Sequence, residues 1–396
     1  MEGIKDRAAI VGMGCTKFGE LWNKDKEDLI VDACFEAFED AGIEPKDIQA
    51  AWFSTSTSGR GGGTLAGPLK LKGIPITRVE NVCASGTDAV RNAAYAVAAG
   101  IYDMVLACGV EKQKDCGFAG LSNISPVYPE ESMSMIRPYQ PPVTFFSLVA
   151  NRYFHHYGVN YEEGKKALAK ITVKNHHNGT LNPKAHLRRE VTLEQVINAP
   201  MIAAPLGLYD CCGVSDGSAA AIITRPEIAK RMRKDYVLIK GLGAANGYNY
   251  AHIDADFNFV HIKENQFASQ MAYREAGVTN PREEIDVAIV HDCFTINELV
   301  TYEGMGWSQP GKAIQDVNDG YFEMTGGLPV NTDGGLKCFG HPTGASGIRM
   351  IYEVYKQLQG KADKRQLKNV RLGLTHNLGG PLGQAMVTVA IFGRPD

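Results

Sequence analysis

Glu80-Asn81-Val82-Cys83-Ala84-Ser85-Gly86-Thr87-Asp88-Ala89-Val90 and, far downstream, Gly340-His341-Pro342-Thr343-Gly344-Ala345-Ser346-Gly347 share one design. Each sets a reactive residue in a turn of small residues that opens a helix. After the first, an Ala-rich run continues to Gly100; after the second, a helical pattern runs to Gln359-Gly360. The free N–H groups and dipole at a helix start favour an anion. A thiol placed there is expected to lose its proton more easily and to serve as a nucleophile. A small buried cysteine fits the same stretch, because free Cys is commonly buried.

The two turns belong to two matching halves. Ala8 to Gly14 reads as a buried strand, and Val237 to Gly243 parallels it. Ile48 to Phe53 is matched by Ile285 to Val290, each after a helix closed by Ala-Gly (Ala41-Gly42, Ala276-Gly277). Met104 to Gly109 is matched by Val370 to Thr375, and Ala219 to Thr224 by Ala385 to Phe392. Leu29, Ile30, Ala33, Phe35, Ala37 and Phe38 carry a helical period. The order predicts an α/β protein: residues 1–111 plus 206–235 as one half, 236–396 as the other, and 112–205 as an inserted loop or lid domain. Gly12-Met13-Gly14 resembles the opening of a dinucleotide fingerprint, but Lys17 stands where the third glycine belongs, so no nucleotide site is expected there. The Gly/Ser stretch from Ser58 to Gly63 lacks the Gly-Lys-Ser/Thr of a phosphate loop and reads as plain loop.

Composition narrows the function classes. The chain has 396 residues, 44% hydrophobic and 21% charged, with a net charge of −3. That is ordinary for a globular protein, and nothing in it points to nucleic acid or an anionic membrane surface. Nine cysteines without regular spacing do not read as a disulfide framework. Reduced thiols in a cytoplasm are the expectation. Met1 to Arg7 hold no long apolar run, so no signal peptide is expected, and no stretch approaches the apolar length of a membrane span.

If the halves are related by a pseudo-twofold, Cys83 and His341 meet near its axis. A cysteine nucleophile needs a base and donors for the oxyanion it creates, and a histidine supplies either. Two more polar turns follow buried strands in the second half: His291-Asp292-Cys293-Phe294 and His376-Asn377-Leu378-Gly379-Gly380. Strand ends of this kind are where α/β enzymes build sites.

These four motifs, in this order, resemble the thiolase superfamily over essentially the whole chain. The likeness is to the branch holding sterol-carrier-protein-type thiolases and archaeal acetoacetyl-CoA thiolases. The resemblance implies a five-layered α-β-α-β-α fold of two βαβαβαββ halves. It implies Cys83 as the acyl-accepting nucleophile, with His341 activating it and holding the thioester oxygen. His291 stands where most thiolases have an oxyanion-hole Asn. The usual second cysteine is missing, with Asn377 at its place, so Cys293 is expected to act as acid/base. Backbone N–H groups of Cys83 and Gly379 would form a second oxyanion hole, with His376 and Asn377 behind. Coenzyme A would be a substrate; no metal and no permanently bound cofactor is expected. Acetoacetyl-CoA is the default substrate; the alternatives are a subunit for a bulky aromatic 3-oxoacyl-CoA of benzoylsuccinyl-CoA type, active only with a partner, and a partner-dependent acyl-binding subunit without activity of its own. The branch implies a homodimer or dimer of dimers, and a small zinc-ribbon/OB-fold partner that helps to hold CoA.

The remaining candidates have plainer readings. Cys108, Cys211, Cys212 and Cys338 read as core or packing. His155-His156 and His176-His177 lack metal-ligand spacing and read as surface or loop. Phe145, Phe146, Tyr153 and Phe154 fit an acyl tunnel or the core stripe of a helix. Lys165, Lys166, Lys170, Lys174, Arg188 and Arg189 fit CoA phosphates or a solvated face.

Overall fold

The computed structural model describes residues 3–116 and 142–395. Pro126, Pro129, Pro138 and Pro141, which prompted the reading of an insert, lie outside the described residues.

The first half runs β1 (Ala9–Cys15), α1 (Lys26–Ala41), β2 (Ala50–Ser54), β3 (Ile76–Val79), α2 (Ser85–Ala98) and β4 (Met104–Glu111). The chain then leaves the sheet for α3 (Pro142–Tyr157) and α4 (Tyr161–Thr180), and returns as β5 (Gly217–Thr224). The second half runs β6 (Val237–Asn246), α5 (Lys263–Ala276), β7 (Val287–Val290), α6 (Thr295–Gly304), α7 (Gly335–Phe339), α8 (Thr343–Gln359), β8 (Leu372–Gly379) and β9 (Met386–Gly393).

The strand order is β3-β2-β4-β5-β1-β6-β9-β8-β7. Outward from the β1/β6 seam, both halves place their last strand second and their middle strands next. The pairing of β4 with β5 is antiparallel, as is that of β8 with β9, while β2/β4 and β7/β8 are parallel. The seam itself is short: Ala9 pairs with Leu238 and Ile10 with Val237. In the second half, a bridge from Ala288 to Val330 stands where the first half has β3. The sequence did not announce β3, a short, partly exposed edge strand.

Five layers follow from what each helix covers. α1 packs on β1 and β5, and α5 on β6 and β9. α2 and α8 pack on each other between the two halves of the sheet. The outer helices approach closely in the same way twice. A side chain on Gly12 or Gly14 would strike the backbone of α1 at Ala37 or Ala33; one on Gly241 or Gly243 would strike α5 at Ala272 or Ala268. The Gly-x-Gly that resembles a nucleotide fingerprint is a packing device. At the centre, a Cβ on Gly86 would lie 2.9 Å from the amide nitrogen of Gly347. Only there can α2 and α8 touch backbone to backbone.

Local sequence sets the helix ends. Asp25 and Asp28 form a capping box at the start of α1, and Gly42 closes it at φ 70°. α8 is buried along almost its whole length, including Arg349, which is paired with buried Asp333. Charge inside a helix of the core is tolerated because it is partnered.

Candidate active site

Cys83 sits just before α2, on a loop held from both sides. The Asn81 amide N–H donates to Ser85 Oγ at 2.8 Å, and Ser85 Oγ donates to the Val82 carbonyl at 2.6 Å. Asn81 Nδ2 donates to Asp88 Oδ2 at 2.8 Å. Val82 takes φ 50°, a left-handed conformation that a β-branched residue adopts only under strain. The strain lies on the residue that aims Cys83. The end of β8 lies directly over this loop: a Cβ on Gly379 would come within 2.9 Å of the Cys83 nitrogen.

His341 opens α8 from the other half. One donor atom each of Cys83, His291 and His341 lies within 4.8 Å of the other two. Cys83 and His341 are 8% and 7% exposed and His291 is 1% exposed, so the group is nearly closed to water but not sealed. Ser346 Oγ lies 2.8 Å from His341 Nδ1 and donates its own proton to the Pro342 carbonyl at 2.8 Å. The hydroxyl therefore accepts from His341, which places the ring proton on Nδ1 and leaves Nε2 bare. Nε2 is buried and has no hydrogen-bond partner. It is a free lone pair in the cluster that holds the thiol.

The electrostatics correct the expectation of an easily ionised thiol. Burial pushes the Cys83 thiol well above its ordinary value, and Cys212, Glu111 and Glu80 push the same way against a lowering backbone hydrogen bond. Desolvation outweighs the helix start. Burial also drives His341 far below the ordinary histidine range, with His291 and Arg349 adding to it. Both groups rest neutral, so a nucleophilic role for this thiol would require a base to take its proton.

His291, at the end of β7, has Nδ1 3.0 Å from Asn377 Oδ1, and its carbonyl accepts from Asn297 Nδ2. Burial lowers it to about 3. Asn377 Nδ2 also reaches Thr87 Oγ1 on α2 at 3.4 Å, so this amide ties the three elements together. His376 is fully buried: Nε2 is 2.9 Å from Asn265 Oδ1, and Nδ1 accepts from the His291 amide at 3.4 Å. His376, Asn377 and Gly379 lie within β8 rather than in a turn after it.

Cys293 lies between His291 and α6, 7% exposed. Burial raises its thiol well above the ordinary value, with Cys212 and Cys83 next in effect, so the three thiols share one neighbourhood. Cys212, read as core, is half-buried and packs against the core, and its amide donates to the Cys293 carbonyl at 2.9 Å. Cys211 is likewise half-buried, and its neighbour Phe294 pairs with it in a bridge. Cys108 and Cys338 are fully buried.

The other candidates separate cleanly. Lys165 and Lys174 are buried ion partners of Asp210 and Glu298, which removes them from the CoA phosphates. Lys166, Arg188 and Arg189 remain exposed. His176 is buried against the Arg189 carbonyl rather than on a surface, while His177 pairs with Glu190 outside. Phe146 packs against Phe294 with ring centroids 4.9 Å apart, next to Cys293. Tyr153 turns instead to Glu303, and Phe154 fills the space over Gly164. A cavity of about 770 Å³, lined in part by Asp254, Phe257, His261, Lys263 and Glu303, contains none of the residues of the cysteine–histidine cluster.

Sequence reasoning passed over Glu111. Its buried carboxylate accepts from the amides of Ser56, Thr57 and Ser58 at 2.8 Å and from the Gly344 amide at 3.1 Å. It thereby fixes the first turn of α8 to the other half. An acidic residue ending a buried strand was the available signal.

The comparisons with known proteins show the family. Residues 8–227 match the model of the thiolase N-terminal domain, and residues 245–394 that of the thiolase C-terminal domain-like family. The chain belongs to the thiolase family. This thiolase is 38% identical over 395 residues to the acetyl-CoA acetyltransferase of Methanothermobacter thermautotrophicus, covering 98% of this chain and 99% of the relative. It is 31% identical to the benzoylsuccinyl-CoA thiolase subunit BbsB of Thauera aromatica, covering 95% and 96%. Among solved structures, the Ltp2-ChsH2(DUF35) aldolase superposes with a TM-score of 0.85 at 26% identity, covering 99% of this thiolase and 98% of that chain.

Proposed function

We propose that this thiolase works through an acyl-Cys83 intermediate, with His341 as the base. The observation that carries the reading is the bare, buried Nε2 of His341 in one cluster with the Cys83 thiol and His291. In cleavage, Nε2 takes the thiol proton as sulfur attacks the 3-keto carbon of a 3-oxoacyl-CoA. The protonated ring is then an N–H donor facing the new oxyanion. Such a donor is worth about 3–4 kcal/mol. The C2–C3 bond breaks, leaving an acyl group on Cys83 and the enolate of the departing acyl-CoA. Cys293 protonates the enolate carbon. CoA then attacks the thioester, its thiol proton passing to the Cys293 thiolate, and the protonated His341 returns a proton to Cys83 as that sulfur leaves. Run backwards, the same steps condense two acyl-CoA molecules. His291 and the N–H groups of Cys83 and Gly379 are proposed as the remaining oxyanion contacts. We assign the cluster no metal, and CoA enters as substrate.

Acetoacetyl-CoA is the proposed default substrate, supported by the archaeal acetyl-CoA acetyltransferase relative. A second reading has support of its own: a relative named as a thiolase subunit and a neighbour solved as a two-protein assembly favour a chain that needs a partner. That partner is proposed to be a small zinc-ribbon/OB-fold protein, with the thiolase itself a cytoplasmic homodimer.

The test is direct. Incubation with acetoacetyl-CoA or a panel of 3-oxoacyl-CoA thioesters should add the mass of an acyl group to the Cys83 peptide, and Cys83→Ala should neither acylate nor turn over. Full turnover by the alanine variant would end this reading. Activity only after the partner is added would select the second one.

A further inference from the structure

Lys337 has no part in the mechanism above, yet its position is costly. It lies on α7, four residues before His341, and is 1% exposed. Its Nζ has no hydrogen-bond partner. Lys165 and Lys174, also buried, each form an ion pair with a carboxylate, whereas the Lys337 ammonium acts on the nearby Asp292 carboxylate without a hydrogen bond to it. An ammonium taken out of water without an acceptor is unfavourable unless something nearby uses the charge.

The surroundings of Lys337 show what that is. The amides of Leu336 and Lys337 donate to the two carboxylate oxygens of Asp292, at 2.5 and 3.3 Å, so α7 is fastened to the residue before Cys293. Cys211 and Phe294 form an antiparallel bridge, which sets Cys212 opposite Cys293. The Cys212 amide donates to the Cys293 carbonyl at 2.9 Å. Residues opposed in this way have Cβ atoms about 4.5–5.5 Å apart. Of the charged and ionisable groups that act on the Cys293 thiol, Cys212, Cys83 and Asp292 disfavour its thiolate and Lys337 favours it. The same ammonium acts in the same sense on Cys211, Cys212 and Cys338.

We propose that Lys337 is a positioning residue of the catalytic centre, its buried ammonium, free of any hydrogen bond and set between Asp292 and the Cys212–Cys293 pair, supporting the thiolate of Cys293. The inference rests on the reading of Cys293 as the acid/base. In condensation, the Cys293 thiolate takes the α-proton of an acyl-CoA: one S–H bond forms as one C–H bond breaks, and the enolate carries the charge away. In cleavage the thiol returns that proton to the enolate carbon, and the thiolate left behind again faces Lys337.

The experiment compares the full-length wild type with Lys337→Met, which keeps the length but not the charge, and Lys337→Arg, which keeps the charge. Each is alkylated with iodoacetamide, and the rate at each cysteine is read by peptide mass mapping. Lys337→Met is expected to slow labelling of Cys293 by about tenfold or more, the effect of one unit in thiol acidity. Lys337→Arg should stay within about threefold of wild type, and Cys83 should change little in either variant. Wild-type labelling of Cys293 in the methionine variant would overturn the proposal, as would an arginine variant no faster than the methionine one. If circular dichroism shows Lys337→Met unfolded, Lys337→Gln is held to the same criteria. Acylation of Cys83 by acetyl-CoA, measured on the same samples, tests the thiolase mechanism separately.

Discussion

Replacing Gly379 by Ala inserts one methyl group between β8 and the loop that carries Cys83. The new Cβ would stand 2.6 Å from the Ala84 nitrogen and 2.9 Å from the Cys83 nitrogen, and closer still to the Asn81 carbonyl. Ordinary contact begins at 3.4 Å, so the strand and the loop must part by roughly 0.8 Å on the Ala84 side. Neither side yields easily, because the loop is strained at Val82 and held by Asn81 and Ser85, while β8 is paired along its length with β9. Overpacking of this kind costs about 1–3 kcal/mol of stability. The larger effect is on rate. A displacement near 1 Å at reacting groups costs about a hundredfold, and loss of an oxyanion donor about a hundredfold to a thousandfold. Thiolysis kcat is therefore expected to fall about a hundredfold with the protein still folded. Gly380→Ala is the control. Its Cβ would meet nothing closer than 3.4 Å, but its φ of 103° penalises any side chain, so it should lower the melting temperature and spare kcat. A Gly379→Ala enzyme within about threefold of wild-type kcat would refute the placement of the Cys83 and Gly379 N–H groups at the reacting oxygen.

Two other perturbations probe the histidines. Ser346→Ala strands the His341 Nδ1–H, a buried donor worth about 1–3 kcal/mol, and releases the tautomer; acylation of Cys83 measured by stopped flow should slow about tenfold or more, and an unchanged rate would remove Ser346 from the site. Acid should also destabilise the fold in a definite window. Burial lowers His291 and His376 to about 3 and His176 to about 4, so between the ordinary 6.5 and those values the unfolded chain binds protons that the native one does not. Stability from these three is intact above about pH 6.5 and at pH 5 is down by about 2 kcal/mol each. His341 adds to the loss, while Asp292, raised to about 7 by burial and Glu298, offsets part of it, so urea midpoints should fall as the pH is lowered from 7 to 5. A flat profile would contradict the burial of these rings.

The duplicated strand-turn-helix order and the four motifs were legible in sequence because small residues and paired glycines are written locally. The partners that tune the motifs were not. The chain separates Ser346 from His341 by one helical turn and places Lys337 just ahead of both, but nothing local tells which side chain turns inward. Lys165 and Lys174 show the same limit, since a lysine on a polar helix reads as solvated until its buried carboxylate is seen. Cys212 was missed because its significance comes from pairing with a residue far away in the chain. The edge strand β3 was missed because partly exposed strands carry weak patterns.

The seam between β1 and β6 joins the halves through only two residue pairs. Cys83 comes from one half, while His291, Cys293 and His341 come from the other, so neither half holds a working set of groups. The covalent link after β5 is thus a tether more than a strut, and the packing of α8 on α2, β4 and β5 does the assembling. A chain cut at Lys234, the exposed residue before β6, would give two pieces whose proposed chemistry appears only when they find each other, making turnover itself a gauge of how firmly the halves associate.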